Sequence, residues 1–254
     1  MCRSCKPLST RLAAGWLLAF ALAGCSSEQS RTPASMPMKP DSASVPSASG
    51  DTARAGGEWR TLFDGGSLAA WRGFKKDSVP AGWQVVDGAL TRVGEAGDLI
   101  TRDQFGDFEL TLEWKVAEGG YSGIMYRVTE TGEATYETGP EMQVLDDAHH
   151  KDGESRLTAA GSAYGLYPAQ AGVVKPAGQW NAVRIVVRGN HVEHWLNGTK
   201  VVEYELGSPD WEARVRHSKF KQWPGYGRAA SGHIALQDHG DRVAYRDIKV
   251  RTLP

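Results

Sequence analysis

Residues 107–116, DFELTLEWKV, decide the fold class. Apolar side chains occupy every second position of this stretch: Phe108, Leu110, Leu112, Trp114 and Val116. The positions between them carry charged or hydroxyl-bearing side chains. Because side chains alternate between the two faces of a β-strand, this pattern predicts a strand with one buried face and one polar face. Such strands are typical of antiparallel sheets that pack on a core by one face.

The same alternation continues on both sides of this stretch. It recurs at residues 123–128, 141–144, 183–187 and 234–239. Two-residue turn signals separate other apolar runs: Asp87-Gly88, Gly189-Asn190 and Asn197-Gly198. These pairs supply the positive φ angles that tight hairpin turns need. The last two turns predict a three-stranded antiparallel meander over residues 182–205.

One segment has helical features. Ser208 is a candidate N-cap and Pro209 suits the first helical position, while Trp211, Val215 and Phe220 share one face. Many short strands with frequent turns and one short helix predict an all-β sandwich with long loops.

The N-terminus has the features of a bacterial lipoprotein leader. Basic residues at Arg3, Lys6 and Arg11 precede an apolar run over residues 12–23, which is too short to span a bilayer of about 30 Å as a helix. The run ends in LAGC at residues 22–25, which resembles a lipobox. We therefore predict a signal peptide over residues 1–24 and lipidation of Cys25. Ser26, where an Asp would resemble an inner-membrane retention signal, favours the outer membrane, facing the periplasm.

The remaining composition limits what the mature chain contains. The three cysteines are Cys2, Cys5 and Cys25, so the domain has neither a disulfide nor a thiolate nucleophile. Residues 25–57 are rich in Ser, Pro and Ala and predict a disordered tether, followed by one domain over residues 58–254. The net charge is −1 with scattered Lys and Arg, which argues against a nucleic-acid partner. The membrane is expected as a partner only through the lipid.

Polar side chains recur on the non-core positions of several predicted strands. They are Glu113, Lys115, Arg127, Glu141, Gln143, Gln237 and His239. They either line one shared polar cleft suited to a hydroxyl-rich ligand or form a plain solvent-facing surface. Loop aromatics such as Tyr121 and Trp223 either stack on the C–H faces of sugars or pin long loops to the sandwich.

Several blocks of sequence, taken together and in order, resemble one family. They are LFDG at 62–65 followed by Trp71, EWK at 113–115, SGI at 122–124, YR at 126–127, GPEMQVLD at 139–146, WN at 180–181, HWLNG at 194–198, GHIALQDHG at 232–240 and RDI at 246–248. The chain resembles the 3-keto-disaccharide hydrolase domain family over nearly the whole domain. The resemblance implies a concanavalin-like jelly roll that acts on glycosides oxidised to a ketone at C3. Tyr121 and Asp247 stand where this family usually has Asn.

A ketone at C3 acidifies the C2 hydrogen, so a base can start β-elimination of the C1 substituent, and water then adds back. The reaction needs a base, a group that stabilises the enolate and an acid. His239 is the candidate base. Arg127 or Lys115 could hold the enolate oxygen, and Glu141 or Asp146 could act as the acid or bind a divalent metal together with His239. The candidate substrate-binding residues are Glu113, Lys115, Gln143, Gln237, Tyr121 and Trp223.

Three alternatives stay open at this stage. A direct two-carboxylate glycosidase would use Glu113 and Glu141 as its pair. A non-catalytic, lectin-like lipoprotein could bind carbohydrate on the same fold, and a structural envelope protein could bind a partner. His149 and His150, in a charged loop, are expected to be solvated.

Overall fold

The computed structural model describes residues 56–254. The predicted signal peptide, the lipid-accepting Cys25 and the tether up to residue 55 lie outside the described residues. Within residues 56–254, no helix combines the length and the apolar character needed to cross a membrane.

Short strands dominate the described part of the chain. They are β1 (Arg60–Phe63), β2 (Trp71–Gly73), β3 (Trp83–Val86), β4 (Ala89–Arg92), β5 (Leu99–Thr101), β6 (Phe108–Val116), β7 (Tyr121–Val128), β8 (Glu141–Leu145), β9 (Asn181–Arg188), β10 (His191–Leu196), β11 (Thr199–Glu205), β12 (His233–Leu236) and β13 (Val243–Thr252). One α-helix, α1, spans Pro209–Arg216, and 3-10 turns occur at Thr135–Glu137, Lys151–Glu154 and Lys219–Gln222.

The strands form two antiparallel sheets. The eight-stranded sheet has the order β11-β10-β9-β6-β13-β4-β3, with β1 also paired to β13. The five-stranded sheet has the order β2-β5-β12-β7-β8. Side chains of β6 such as Leu112 belong to the same buried apolar cluster as Ile124 of β7 and Val144 of β8. The predicted jelly-roll sandwich is confirmed.

Strand β7 departs from simple alternation because it is buried along its whole length. Its outward face carries Met125, which packs with Ile100, Val128 and Ala235 in a second, smaller apolar cluster. The loop between β7 and β8 lies close to this cluster, since a Cβ on Gly139 would approach the Val128 side chain to 2.5 Å. The outward face of the five-stranded sheet is therefore partly covered rather than fully solvated.

The local predictions for the meander and the helix are confirmed. Strands β9, β10 and β11 pair in sequence as antiparallel neighbours. The Ser208 hydroxyl accepts a hydrogen bond from the Trp211 amide at 3.1 Å, and Pro209 opens α1. Trp211 and Val215 are buried as expected. Phe220 is also buried, but it lies beyond the helix in the 3-10 turn at Lys219–Gln222.

Candidate active site

Polar side chains gather on the outward face of the five-stranded sheet, which we call the site face. Strand β8 contributes Glu141 and Gln143, which lie opposite Met125 and Gly123 of the neighbouring strand β7, respectively. Gln237 directly follows β12. It lies beside the same part of β7, since its backbone N–H donates to the Gly123 carbonyl at 3.0 Å. Residues far apart in the sequence thus become neighbours because β8, β7 and β12 are adjacent strands.

Glu141 is the most unusual group on the site face. Its side chain is 5% exposed, and its Oε1 lies where a Cβ on Gly123 would approach to 2.0 Å. Burial raises the pKa of Glu141 to about 8, with a further rise from Asp98 and Asp152 and an opposing effect of Lys219. The carboxyl group is therefore mostly protonated at neutral pH and able to donate a proton.

Two amides lie beside this carboxyl group with unpaired acceptors. Gln143 donates from Nε2 to the Thr158 carbonyl at 3.0 Å, which fixes the orientation of its amide. The Oε1 atoms of Glu141, Gln143 and Gln237 are buried and have no hydrogen-bond partner among the described residues. Buried acceptors are normally satisfied, so this arrangement favours a ligand that carries several hydroxyl hydrogens.

Aromatic and basic side chains border these acceptors. The Tyr121 ring stacks on His239 with centroids 3.8 Å apart and lies 5.2 Å from His150. Tyr164 meets Tyr121 edge-on at 6.3 Å, and the Lys219 ammonium lies 4.4 Å from the Tyr164 ring centre. Burial raises the pKa of Tyr121, so its hydroxyl stays protonated and can donate a hydrogen bond.

Asp98 is a site residue that the sequence analysis did not identify. Its Oδ1 accepts from the Asp238 amide at 2.8 Å, and its Oδ2 accepts from the Thr135 hydroxyl. Burial raises the pKa of Asp98, although these hydrogen bonds and the nearby His239 oppose the rise. The sequence carried one indication of Asp98. It directly precedes the apolar strand β5, so its carboxyl group lies at the end of a buried strand. Lys219 had no comparable signal, whereas Tyr164 is one of the loop aromatics that the sequence offered for stacking on a sugar.

Glu113 and Lys115 are not on the site face. They project from β6 on the outward face of the eight-stranded sheet, where Glu113 accepts from Arg246 Nε at 2.5 Å. The Lys115 ammonium lies 4.6 Å from the centre of the Trp180 ring. The expectation that both line a shared cleft is wrong, because alternation identifies the polar face of a strand but not the sheet to which the strand belongs. A two-carboxylate pair of Glu113 and Glu141 is excluded, since the core separates them.

Arg127 also points away from the site face. It has a positive φ of 53°, and the pairing of β7 with β12 is irregular beside it. Its Nη2 donates to the Gly189 carbonyl at 2.6 Å and lies 3.5 Å from an Asp107 carboxylate oxygen. The predicted role for Arg127 in holding an enolate is therefore replaced by a structural one at the end of the sandwich.

Asp146 organises a loop. Its Oδ2 accepts from the Gly119 amide at 2.9 Å and from His149 Nδ1 at 2.7 Å. Burial alone would raise the pKa of Asp146, but these hydrogen bonds outweigh it and the pKa is lowered. A carboxylate held ionised in this way is poorly suited to the acid role that the sequence analysis allowed for it.

The sequence offered three candidate ligands for a divalent metal: Glu141, Asp146 and His239. The structure does not bring their ligand atoms together. Among residues 56–254, one group of three such side chains has ligand atoms within 4.8 Å of one another: His191, Glu193 and Glu203. Lys200 already neutralises these carboxylates, with its ammonium 2.6 Å from Glu203 and 3.4 Å from Glu193.

Two further side chains lie near the site face. Trp223 contacts Tyr136, in the 3-10 turn before β8, with ring centroids 5.4 Å apart. His150 was expected to be solvated, but it is half-buried and lies against Tyr121. Its Nδ1 accepts from the Asp152 amide at 3.1 Å, so the ring also caps the 3-10 turn that follows it.

Fold and site together define a β-sandwich protein with a group of buried polar side chains, bordered by aromatic rings, on the outward face of one sheet. The 3-keto-alpha-glucoside-1,2-lyase-like domain model matches residues 58–251, and the chain belongs to that family. A relative from Bacteroides thetaiotaomicron, the 3-keto-disaccharide hydrolase, is 37% identical over 76% of this chain and 78% of its own length.

Solved structures of related proteins have the same fold. One crystal structure of a predicted glycosyl hydrolase from Parabacteroides distasonis aligns with a TM-score of 0.72 and 33% identity, over 77% of this chain and 94% of that one. A second from the same organism, with the same description, aligns with a TM-score of 0.62 and 31% identity, over 77% of this chain and all of that one.

Proposed function

We propose that the chain cleaves glycosides whose sugar carries a ketone at C3, by C2 proton abstraction and elimination followed by hydration. The observation that carries the proposal is Glu141, a buried carboxyl group with a pKa raised to about 8 among unpaired buried acceptors. A proton donor of this kind suits departure of a glycosidic oxygen near neutral pH. The family and the similarity to a 3-keto-disaccharide hydrolase support the same substrate class.

The side chains of the site face can be matched to the steps. His239 accepts the C2 proton, and the electrons of that C–H bond move to the ketone oxygen through the enolate. Lys219 and the Tyr121 hydroxyl supply positive charge and a hydrogen-bond donor near that oxygen. The C1–O bond then breaks, with Glu141 protonating the departing oxygen. Water adds across the C1–C2 double bond to give the free 3-keto sugar.

The unpaired amides have a role in binding. The Oε1 atoms of Gln143 and Gln237 accept hydrogen bonds from the unoxidised hydroxyls of the sugar. The ketone itself only accepts, so it must face donors, and the Tyr121 hydroxyl and the Lys219 ammonium provide them. The division of the site face into acceptors and donors therefore orients a partly oxidised ring.

The decisive experiment uses the purified protein and a 3-keto-glucoside deuterated at C2. Elimination requires that the deuterium leave C2, so it should appear in the solvent as the glycoside is cleaved. Cleavage with full retention of the label in the sugar would contradict elimination and favour direct displacement. Binding of the glycoside without any turnover would instead support a non-catalytic, carbohydrate-binding protein.

We also propose that the domain is tethered to the outer membrane, facing the periplasm, through acyl chains on Cys25. The support is the leader sequence, with its lipobox-like LAGC at residues 22–25 and Ser26 after it. Cys25→Ser should move the protein from the membrane fraction to the soluble fraction of cells. A variant that stays membrane-bound after a salt wash would contradict this anchor.

A further inference from the structure

A groove crosses the outward face of the eight-stranded sheet, on the side of the sandwich away from the site face. It consists of two cavities of about 180 and 200 Å³ that share Lys115, Arg242 and Ala244 in their linings. Trp180 and Arg246 also line the first of them. We call this space the Lys115–Arg242 groove. None of its lining residues lies on the site face.

Strand pairing explains why these side chains meet. Arg242, Ala244 and Arg246 occupy alternate positions at the start of β13, so they project from the same face of the sheet. Ala244 lies opposite Lys115 of β6. Because the side chain between the two arginines is only a methyl group, it leaves space for a ligand beside the three cations.

Two of these three cations have no carboxylate partner. In the described part of the chain, no ion pair involves Lys115 or Arg242. Arg246, in contrast, has its Nε 2.5 Å from Glu113 and 3.7 Å from Asp247. Lys115 is half-buried, where an unpaired charge costs more than it does at the surface, so the groove favours an anion from outside the chain.

Trp180 holds two of the cations in place. The centre of its ring lies 4.6 Å from the Lys115 ammonium and 4.2 Å from the Arg246 guanidinium. A cation over an aromatic ring is attracted to the negative face of that ring but keeps its charge. Lys115 is therefore positioned without being neutralised, which reduces the entropy lost when an anion binds.

The charge balance of the lining indicates which anion fits. Arg246 is already compensated by Glu113, which leaves Lys115 and Arg242 as the free cations. Asp87 is the carboxylate in the lining and opposes one of them. Two positive charges against one negative charge leave a single positive charge, which suits a monoanion such as a carboxylate.

The size and the remaining walls of the groove indicate what carries the anion. Val86 and Trp180 line the first cavity, are half-buried and offer apolar surface for C–H groups. A volume of about 180 Å³ exceeds what one carboxylate needs. It is below the range of about 300–1,000 Å³ that holds drug-sized ligands, so a single sugar ring with its acidic group is the matching size.

We propose that the Lys115–Arg242 groove is a second, non-catalytic carbohydrate site, and that it binds one sugar with a carboxylate, a uronic acid. Such a site is independent of the proposed cleavage reaction, because the core separates it from Glu141. It would hold the domain on an acidic glycan while the site face remains open to substrate.

The test is calorimetric titration of the purified protein with glucuronate, for which we expect a Kd of about 1 mM. Lys115→Gln combined with Arg242→Gln should weaken this binding by about tenfold or more, because both charge-assisted contacts to the carboxylate are lost. Lys249→Gln combined with Arg188→Gln is the matched control. It removes two exposed cations from the same sheet that line neither cavity, and it should change the Kd by less than about twofold.

An equal loss in the control variant would overturn the groove, because any lost surface charge would then have the same effect. Acetate that binds as tightly as glucuronate would overturn the sugar, and tighter binding of glucose 6-sulfate would overturn the choice of a carboxylate. No glucuronate binding by the wild-type protein would contradict the site altogether. The proposed cleavage is tested separately, since the Lys115→Gln, Arg242→Gln variant should keep the wild-type kcat on a 3-keto-glucoside. A large loss of kcat in that variant would contradict a non-catalytic site.

Discussion

Both sheets of the sandwich carry polar groups on their outward faces, but the carboxyl groups of the two faces differ in whether they have partners. On the eight-stranded sheet, Glu109 binds Arg184 and Arg251, and Glu113 binds Arg246. On the five-stranded sheet, Glu141 is buried with an unpaired oxygen and a raised pKa. Glu109 and Glu141 are equally buried, so the difference is that Glu109 is paired with arginines, whereas an unpaired buried carboxyl group costs stability. Under the proposed function, the eight-stranded face is structural and the five-stranded face carries the chemistry.

The largest expected effect is on kcat, and it is tested by replacing one carboxyl group on each face. Glu141→Gln should lower kcat for a 3-keto-glucoside by about 10²- to 10⁴-fold, the usual scale for a general acid. Glu113→Gln should leave kcat within about twofold, because that side chain only pairs with Arg246. Steady-state kinetics of both purified variants tests the contrast. Similar losses in both would mean that the two faces do not differ in function.

A second variant disturbs Glu141 without altering it. A Cβ on Gly123 would lie 2.0 Å from Glu141 Oε1, so Gly123→Ala must displace the carboxyl group. We expect a loss of about 10²-fold in kcat with the fold retained by circular dichroism, because the acid loses its position. Gly94→Ala is the control, since a Cβ there meets nothing within 4 Å. Full activity in Gly123→Ala would show that the placement of Glu141 is unimportant.

The pH dependence of kcat/KM and of stability should show a further difference between the two faces, because the pKa of Glu141 is raised. If Glu141 acts as the acid, kcat/KM should fall about tenfold per pH unit above its pKa of about 8. The raised pKa also means that the folded state binds more protons than the unfolded state between pH 4.5 and 8. Stability from this group is present below pH 4.5 and is lost as the pH rises through 8.

Urea unfolding of wild type and Glu141→Gln at several pH values provides the control for that prediction. The variant has no titrating group at this position, so the part of the decline due to Glu141 should be absent. An identical decline in both proteins would assign the pH dependence to other groups.

The smallest effect concerns stability on the eight-stranded sheet. Burial raises the pKa of Glu109, but its bonds to Arg184 and Arg251 outweigh this and lower the pKa overall. Its contribution is therefore present above an unfolded-state pKa near 4.5 and lost as the pH falls. Glu109→Gln should cost about 1–2 kcal/mol of unfolding free energy at pH 7, with kcat unchanged. A large loss of kcat would show that the faces are coupled.

Much of the fold could be predicted from local patterns. Alternation located strands such as β6, and Asn197-Gly198 located a hairpin, because both signals depend on backbone geometry over a few residues. The Ser208-Pro209 pair located the start of α1 for the same reason. Of the candidate site residues, Glu141, Gln143 and Gln237 lie together because their strands are neighbours in one sheet.

The sequence by itself located strands such as β6 and β9 to β11, the hairpin turns between them and the start of α1, and it showed which side of such strands is polar, but it did not identify β1, β2, β5 or β13. Only the tertiary structure decided which sheet each polar side faces, and this separated Glu113 and Lys115 from Glu141. It also brought Asp98 to the site from the loop before β5 and Lys219 from a 3-10 turn, and it turned Arg127 away through a positive φ. The physical reason is that alternation is a property of one strand, whereas a site depends on pairing between strands that are distant in the sequence.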